Sequence, residues 1–332
     1  SLYRLFQAAT AFNQDISAWD ISNITSFSQM FRGATSYNNG GVPLNWDTTG
    51  KTNLGGLFFG ASAFNQDMST WNVESVTYFS LMFSGATTFN QDISSWNTQS
   101  ATSMAGMFTN AIAFNQDISS LDTSLVIYMN SMFEGATAFN QNIGSWDTTM
   151  VEWMSSMFEN ATAFSQNLGN WNVESVTRFN SMFIGATLSQ ANYDALLIGW
   201  DAQNLSPDET FHGGNSQFCS TEAQAARTHM INIDGWTISD GGQFAGTCGQ
   251  LGLEDNELDD VVLYPNPTKG NLSISLTSSG SYSLVNMLGQ EIEKGAFTFG
   301  ENALDISDLS KGLYLLNVKT VNGTATKKII KQ

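Results

Sequence analysis

Four aspartates recur within the phrase Asn-Gln-Asp: Asp15, Asp67, Asp92 and Asp117, with Asn142 and Asn167 continuing the same position. Stacked at strand spacing they would form a file of carboxylates about 4.8 Å apart. At that distance like charges repel by about 1–3 kcal/mol at intermediate dielectric, so the file needs solvent, hydrogen-bond donors or a cation such as calcium. Aspartates accepting from turn amides are the reading favoured over a calcium ladder. A second file, Asp20, Asp47, Asn72, Asn97, Asp122, Asp147 and Asn172, reads as an Asx-turn signature. The only two cysteines, Cys219 and Cys248, lie in one short stretch and predict a disulfide and an oxidising compartment. Zinc held with His212 and His229 is the rival, and the spacing argues against it. Trp19, Trp46, Trp71, Trp96, Trp146 and Trp171, with Leu121 in the same slot, could stack sugars or close a core; the core is favoured. A hydrolase needs a nucleophile with its base, or two carboxylates in a cleft, and neither is spaced for it here. No enzyme activity, catalytic residue or cofactor is expected.

These residues sit on a repeat. Seven copies of a 25-residue phrase fill residues 1–187, one of them two residues longer. Counting from the Phe of each Met-Phe pair, apolar residues recur at minus seven, minus four, minus one and zero, which fits one face of a short helix. Thr25, Thr52, Thr77, Thr102 and Thr177 suit its start; Gly33, Gly60, Gly85, Asn110, Gly135, Asn160 and Gly185 suit its stop. The Phe-Asn-Gln-Asp-Ile stretch suits a brief strand. The fold class expected is therefore an α/β repeat solenoid, a short helix and a short strand per coil, with gap-filling Met in the core, followed by a small all-β sandwich. Residues 188–250 break the period and read as a cap, with Ser220 starting a helix. Residues 251–260 read as an acidic linker and 261–332 as the sandwich, with short alternating strands expected at 271–276, 282–286, 303–306, 313–318 and 326–330 between Gly, Asn and Ser turns.

The phrase Met-Phe-x-Gly-Ala-x-x-Phe-Asn-Gln-Asp-Ile-x-x-Trp resembles the BspA-like leucine-rich-repeat surface proteins of bacteria. That resemblance implies a leucine-rich-repeat-like solenoid displayed outside the cell for adhesion or protein binding, with no catalytic residues. Residues 261–332 carry a second one. Tyr264-Pro265-Asn266-Pro267-Thr268-Lys269-Gly270, Met287-Leu288-Gly289-Gln290, Leu309-Ser310-Lys311-Gly312-Leu313-Tyr314 and the ending Lys327-Lys328-Ile329-Ile330-Lys331-Gln332 resemble the C-terminal sorting domain of the type IX secretion system. It implies export across a Gram-negative outer membrane, release or surface attachment, and the type IX machinery as partner.

The formal net charge is −18, all but one unit of it before residue 257. A body that acidic disfavours nucleic acid and anionic membrane as partners. No run of 18 apolar residues suggests a transmembrane helix. The chain opens inside a repeat without the signal peptide the second resemblance demands, so further sequence is expected upstream. The expected function is a secreted or cell-surface binding and adhesion scaffold for an extracellular protein or polysaccharide. The alternative is a glycan-binding accessory module of a larger secreted enzyme.

Overall fold

The computed structural model describes residues 1–24, 26–246, 261–266, 268–276, 278–286, 291–320 and 323–331. The chain divides into two compact units, Ser1–Cys248 and Gly249–Gln332. The expected acidic linker, residues 251–260, and Cys248 lie outside the described residues.

Within the repeats, successive backbone N–H groups alternate between two destinations. Met30, Arg32 and Ala34 donate to the carbonyls of Phe27, Gln29 and Phe31, three residues back, at 2.9, 3.1 and 2.9 Å. The residues interleaved with them, Gln29, Phe31 and Gly33, donate to Gly55, Leu57 and Phe59 of the next copy at 3.0, 3.0 and 2.6 Å. The next copies repeat this: Leu81, Phe83 and Gly85 reach Ala105, Met107 and Thr109 at 2.9, 2.9 and 2.7 Å. An α-helix would spend every one of these donors on the carbonyl four residues back.

The helix-and-strand solenoid expected from the sequence is therefore not formed. Among the described residues of 1–187 there is no α-helix, and the parallel pairing shrinks to single bridges joining Asn53, Tyr78, Ser103, Tyr128, Trp153 and Arg178. The reason is local. Each turn segment holds two left-handed residues four apart, such as Gln29 (φ 58°) and Gly33 (φ 70°), or Leu81 (φ 60°) and Gly85 (φ 72°). The second of each pair is the expected helix stop; the first sits where the helix should have run. A left-handed residue costs roughly 1–2 kcal/mol without glycine, and the bonds between copies offset it. The apolar spacing that suggested a helix also suits a chain of tight turns, because both bury every third or fourth side chain.

Side chains hold the remaining part of each copy. Asn13 Oδ1 accepts from the N–H of Asn38 at 2.8 Å, and Asn38, Asn65, Asn90, Asn115 and Asn140 each accept from the next copy at 2.9 Å. Trp46, Trp71, Trp96, Trp146 and Trp171 donate Nε1–H to Ile16, Leu44, Met68, Ile118 and Ile143 carbonyls at 2.7–3.1 Å. These five indoles are buried, as are the Met residues before each Phe, so neither column is presented to a ligand; only Trp19 is exposed. Rings stack within a copy and between copies: Phe83 lies 3.9 Å from Phe89 and 5.7 Å from Phe108, and Phe89 lies 5.9 Å from Phe114. Stacked pairs add about 0.5–1.5 kcal/mol each beyond burial.

Helices α1 (Gln190–Asp201) and α2 (Thr221–Asn232) follow, started by Ser189 and Ser220, whose hydroxyls accept from Asn192 and Ala223 N–H groups at 3.3 and 3.1 Å. Strand β1 (Thr210–His212) pairs in parallel with β2 (Thr237–Ser239), and Phe211 bridges to Phe179 of the last copy. Trp200 on α1 continues the indole column by donating to Leu168 O at 3.1 Å. Buried Asp194 accepts from the N–H groups of Cys219 and Ser220, both at 2.7 Å, and Cys219 is disulfide-bonded. Buried Asp240 takes a two-pronged bond from Arg227 and the hydroxyl of Tyr193 at 2.6 Å. Burial, then the Asp240 charge, pushes the Tyr193 phenol well above its ordinary range.

In the second unit, β3 (Val261–Tyr264), β4 (Asn271–Leu276) and β7 (Gly300–Asp305) make one antiparallel sheet in the order β3-β4-β7. Strands β5 (Gly280–Asn286), β6 (Glu291–Phe297), β8 (Gly312–Thr320) and β9 (Gly323–Lys331) make another, ordered β6-β5-β8-β9. Alternate residues of both sheets, among them Leu272, Ile274, Leu284, Leu316 and Ile329, meet in one core.

The asparagine column yields a test. Asn90→Ala leaves the Asn115 N–H and the Gln116 amide without their acceptor, costing about 1–3 kcal/mol in urea unfolding. Asn90→Asp, which keeps an acceptor oxygen, should lose clearly less; equal losses would show that the bond is not what matters.

Candidate functional site

The buried Phe and Trp columns and the asparagine column each hold nearly one residue type, fixed by burial or by the bond to the neighbouring copy. The bridge column is different. Reading along it gives Ser26, Asn53, Tyr78, Ser103, Tyr128, Trp153 and Arg178. Its chain neighbours Phe27, Leu54, Phe79, Met104, Met129, Met154 and Phe179 point into the core, so the bridge residues face away from it; Ser103 is nonetheless buried, its hydroxyl 2.6 Å from that of Ser80. Tyr78 is half exposed, at 50%. Tyr128 and Trp153 lie 4.6 Å apart, and the Arg178 guanidinium sits 4.0 Å over the Trp153 ring. Two residues further on, Ser28, Gly55, Ser80, Ala105, Asn130, Ser155 and Asn180 supply small or polar groups.

Near Tyr78 this face opens into a depression of about 220 Å³ lined by Arg32, Gly55, Gly56, Phe59, Tyr78 and Leu81, among others. Arg32 lies 4.4 Å over the Phe59 ring, and its Nη1 is 3.4 Å from Gln29 Oε1. Arg4 Nε donates to that same oxygen at 2.8 Å. Among the described residues, no carboxylate comes within ion-pair distance of Arg4, Arg32 or Arg178. Sequence reasoning passed over this face. The signal was present as a column that changes type from copy to copy while its neighbours do not.

The carboxylates singled out from the sequence lie elsewhere and do not converge. Asp15, Asp67 and Asp92 each accept from the backbone N–H two residues on, Ser17, Ser69 and Ser94, at 2.8 Å, and Asp117 from Ser119 at 2.9 Å. Asn142 and Asn167 make the same bond, to Gly144 and Gly169, at 3.0 and 2.9 Å. These bonds hold the carboxyls of Asp15, Asp92 and Asp117 below the usual range; the Ser17 hydroxyl leads at Asp15, the backbone N–H at the other two. Among the described residues, one group of three His, Cys, Asp or Glu side chains has its ligand atoms within 4.8 Å: Asp201, His229 and Asp234. His229 Nδ1 is 2.8 Å from Asp201 Oδ1, while His212 Nδ1 accepts from the Gly214 N–H at 3.1 Å, so the two histidines are engaged separately.

The residues of the C-terminal motifs are partly gathered by β9. Asn266 Nδ2 donates to Lys328 O at 2.6 Å, and Lys331 Nζ donates to Lys269 O at 2.8 Å. The Tyr264 hydroxyl, half exposed beside Pro265, bonds Glu301 at 3.1 Å. Gly312 opens β8; Tyr314 is buried with its hydroxyl on Ser310 O at 2.9 Å; Lys327 pairs in register with Leu316. Pro267 and Gly289 lie outside the described residues.

Residues 1–112 and 93–196 match the family described as Mycoplasma protein of unknown function, DUF285. The chain belongs to this family. The match spans the repeats and reaches into α1, so it covers the turn stack with its varied column. Residues 262–332 match the family described as secretion system C-terminal sorting domain, which supports export by the type IX secretion system and a secreted or cell-surface location. No curated protein matches the chain. Among the described residues, no helix is long and apolar enough to cross a membrane.

Acid should expose the turn carboxylates. Their folded pKa values are depressed, so their contribution is fully present above the unfolded value of about 3.9 and is lost as pH falls below it. Thermal midpoints of the wild type should drop below pH 4, while Asp92→Asn with Asp117→Asn, which keep the acceptor as Asn142 does, should blunt that drop without loss at pH 7. An unchanged acid profile in the double variant would contradict the assignment.

Proposed function

We propose that this protein is an exported, non-catalytic binding scaffold whose ligand contacts lie on the outward bridge column of the repeats. The observation that carries the reading is the contrast between columns. The buried Phe and Trp columns and the asparagine column keep their residue type almost throughout, whereas the outward column runs through Tyr78, Tyr128, Trp153 and Arg178. Tyr78 is exposed, Tyr128 and Trp153 are partly so, and Arg178 has no carboxylate partner among the described residues; such rings and guanidiniums bind partners through apolar area and directed hydrogen bonds. A stack of repeats presents such groups as an extended surface. An extracellular protein or polysaccharide is the ligand class this fits, and the display outside the cell implied by the BspA-like phrase agrees with it. The sandwich acts as the sorting signal and leaves binding to the repeats.

Two measurements test the two halves. Deleting residues 261–332 should retain the repeat unit inside the cell envelope with an unchanged melting curve; normal secretion of that truncation would overturn the sorting role. Replacing Tyr78, Tyr128 and Trp153 with Ser, the residue Ser103 already places in this column, should abolish capture of ligands on a glycan array or in a pull-down. Capture that survives the triple substitution would move the binding surface elsewhere.

A further inference from the structure

We infer that the depression beside Tyr78 is a subsite for a carboxylated sugar, an inference that rests on the binding role proposed above. The cations carry it. Before residue 200 the chain has four, Arg4, Arg32, Lys51 and Arg178. Lys51 is buried, with Nζ on the carbonyls of Ile21 and Ser22 at 3.0 and 3.2 Å, and Arg178 lies over Trp153. The remaining two converge on one oxygen of Gln29 with no carboxylate partner among the described residues, in a protein of net charge −18. Two guanidiniums brought together in this way attract an anion that can accept from both.

The surroundings select the kind of anion. Gly55 and Gly56 line the depression, and the half-exposed Tyr78 ring stands beside it, a surface that suits the apolar face of a pyranose, while the Phe59 ring backs the Arg32 guanidinium. Asn53 Oδ1 accepts from Gly55 N–H at 2.8 Å, which leaves its amide N–H groups for a ligand hydroxyl. A peptide strand finds no edge here. The N–H groups of Leu54, Gly56, Phe79 and Leu81 are already spent on Tyr78, Ser80, Ser103 and Ala105 carbonyls, so recognition must run through side chains. The acidic body does not prevent it, because at physiological salt its field is screened beyond about 8 Å, whereas a carboxylate on Arg32 is in contact.

The test is calorimetric titration of the full chain with galacturonate oligomers and with the same oligomers methyl-esterified, which removes the charge alone. The acid form should bind tighter by about tenfold or more. Arg32→Ser and Tyr78→Ser copy residues that Ser84 and Ser103 place at the same positions; each should lose about tenfold or more with an unchanged melting midpoint. Equal affinity for acid and ester, indifference to Arg32→Ser, or no binding of either oligomer would overturn the subsite. So would an acidic peptide that binds with the same dependence on Arg32, since the ligand would then be protein. Capture of neutral glycans through Tyr128 and Trp153 by a protein that ignores galacturonate would remove the subsite and leave the binding role intact; loss of all capture would remove both.

Discussion

Half of the turn amides in each copy reach the next copy, and the rest of the repeat unit follows from that. The donors of Gln29, Phe31 and Gly33 end on Gly55, Leu57 and Phe59, which fixes both the register between copies and the direction in which side chains can leave the backbone. Interleaved residues close local turns, so the backbone is satisfied without helix or ladder. The bonds between copies also hold Leu81, Ser131 and Ser156 in left-handed conformations that none of them prefers. Rings then have one place to go: Phe83, Phe89 and Phe108 stack because their Cα atoms are already held at repeat spacing.

Polar side chains serve the same constraint. The asparagine column closes the gap that the turns leave, and the aspartates two residues ahead of a Ser amide, with Asn142 and Asn167 ahead of a Gly amide, stabilise the corner after it. A regular acidic surface arises from turn chemistry, with no metal needed to explain its spacing. The outward bridge column varies from Asn53 to Arg178, and it is there that the proposed ligand contacts lie. The Arg4, Gln29 and Arg32 arrangement stands out against that background because cations are scarce before residue 200 and, among the described residues, these two have no acid beside them.

Much of this was legible in the sequence, and the failure is instructive. The period, the Trp and Phe columns, the left-handed backbone at Gly33 and Gly85, the Ser220 start of α2 and strand β4 could all be placed from residue types alone. The helix could not, because minus seven, minus four, minus one and zero describe a burial pattern that a series of tight turns shares. Gly56 and Gly106 in the middle of the supposed helix were the available warning, each left-handed in the structure. In the second unit, β3 and β6 were missed: Val261–Tyr264 runs into Pro265, and the alternation of Glu291–Phe297 is interrupted by Gly295. The proposed binding face was not legible because the columns that stay the same report packing, whereas the outward column carries no fixed residue type to recognise.

The alternation of donors can be observed directly through hydrogen-bond scalar couplings, recorded by long-range HNCO spectroscopy on a deuterated sample. The amides of Phe31, Phe83 and Phe133 should correlate with the carbonyl carbons of Leu57, Met107 and Met157 in the following copies. Correlations from these amides to the carbonyls four residues back, Phe27, Phe79 and Met129, would mean that each copy forms a helix after all and would contradict the account.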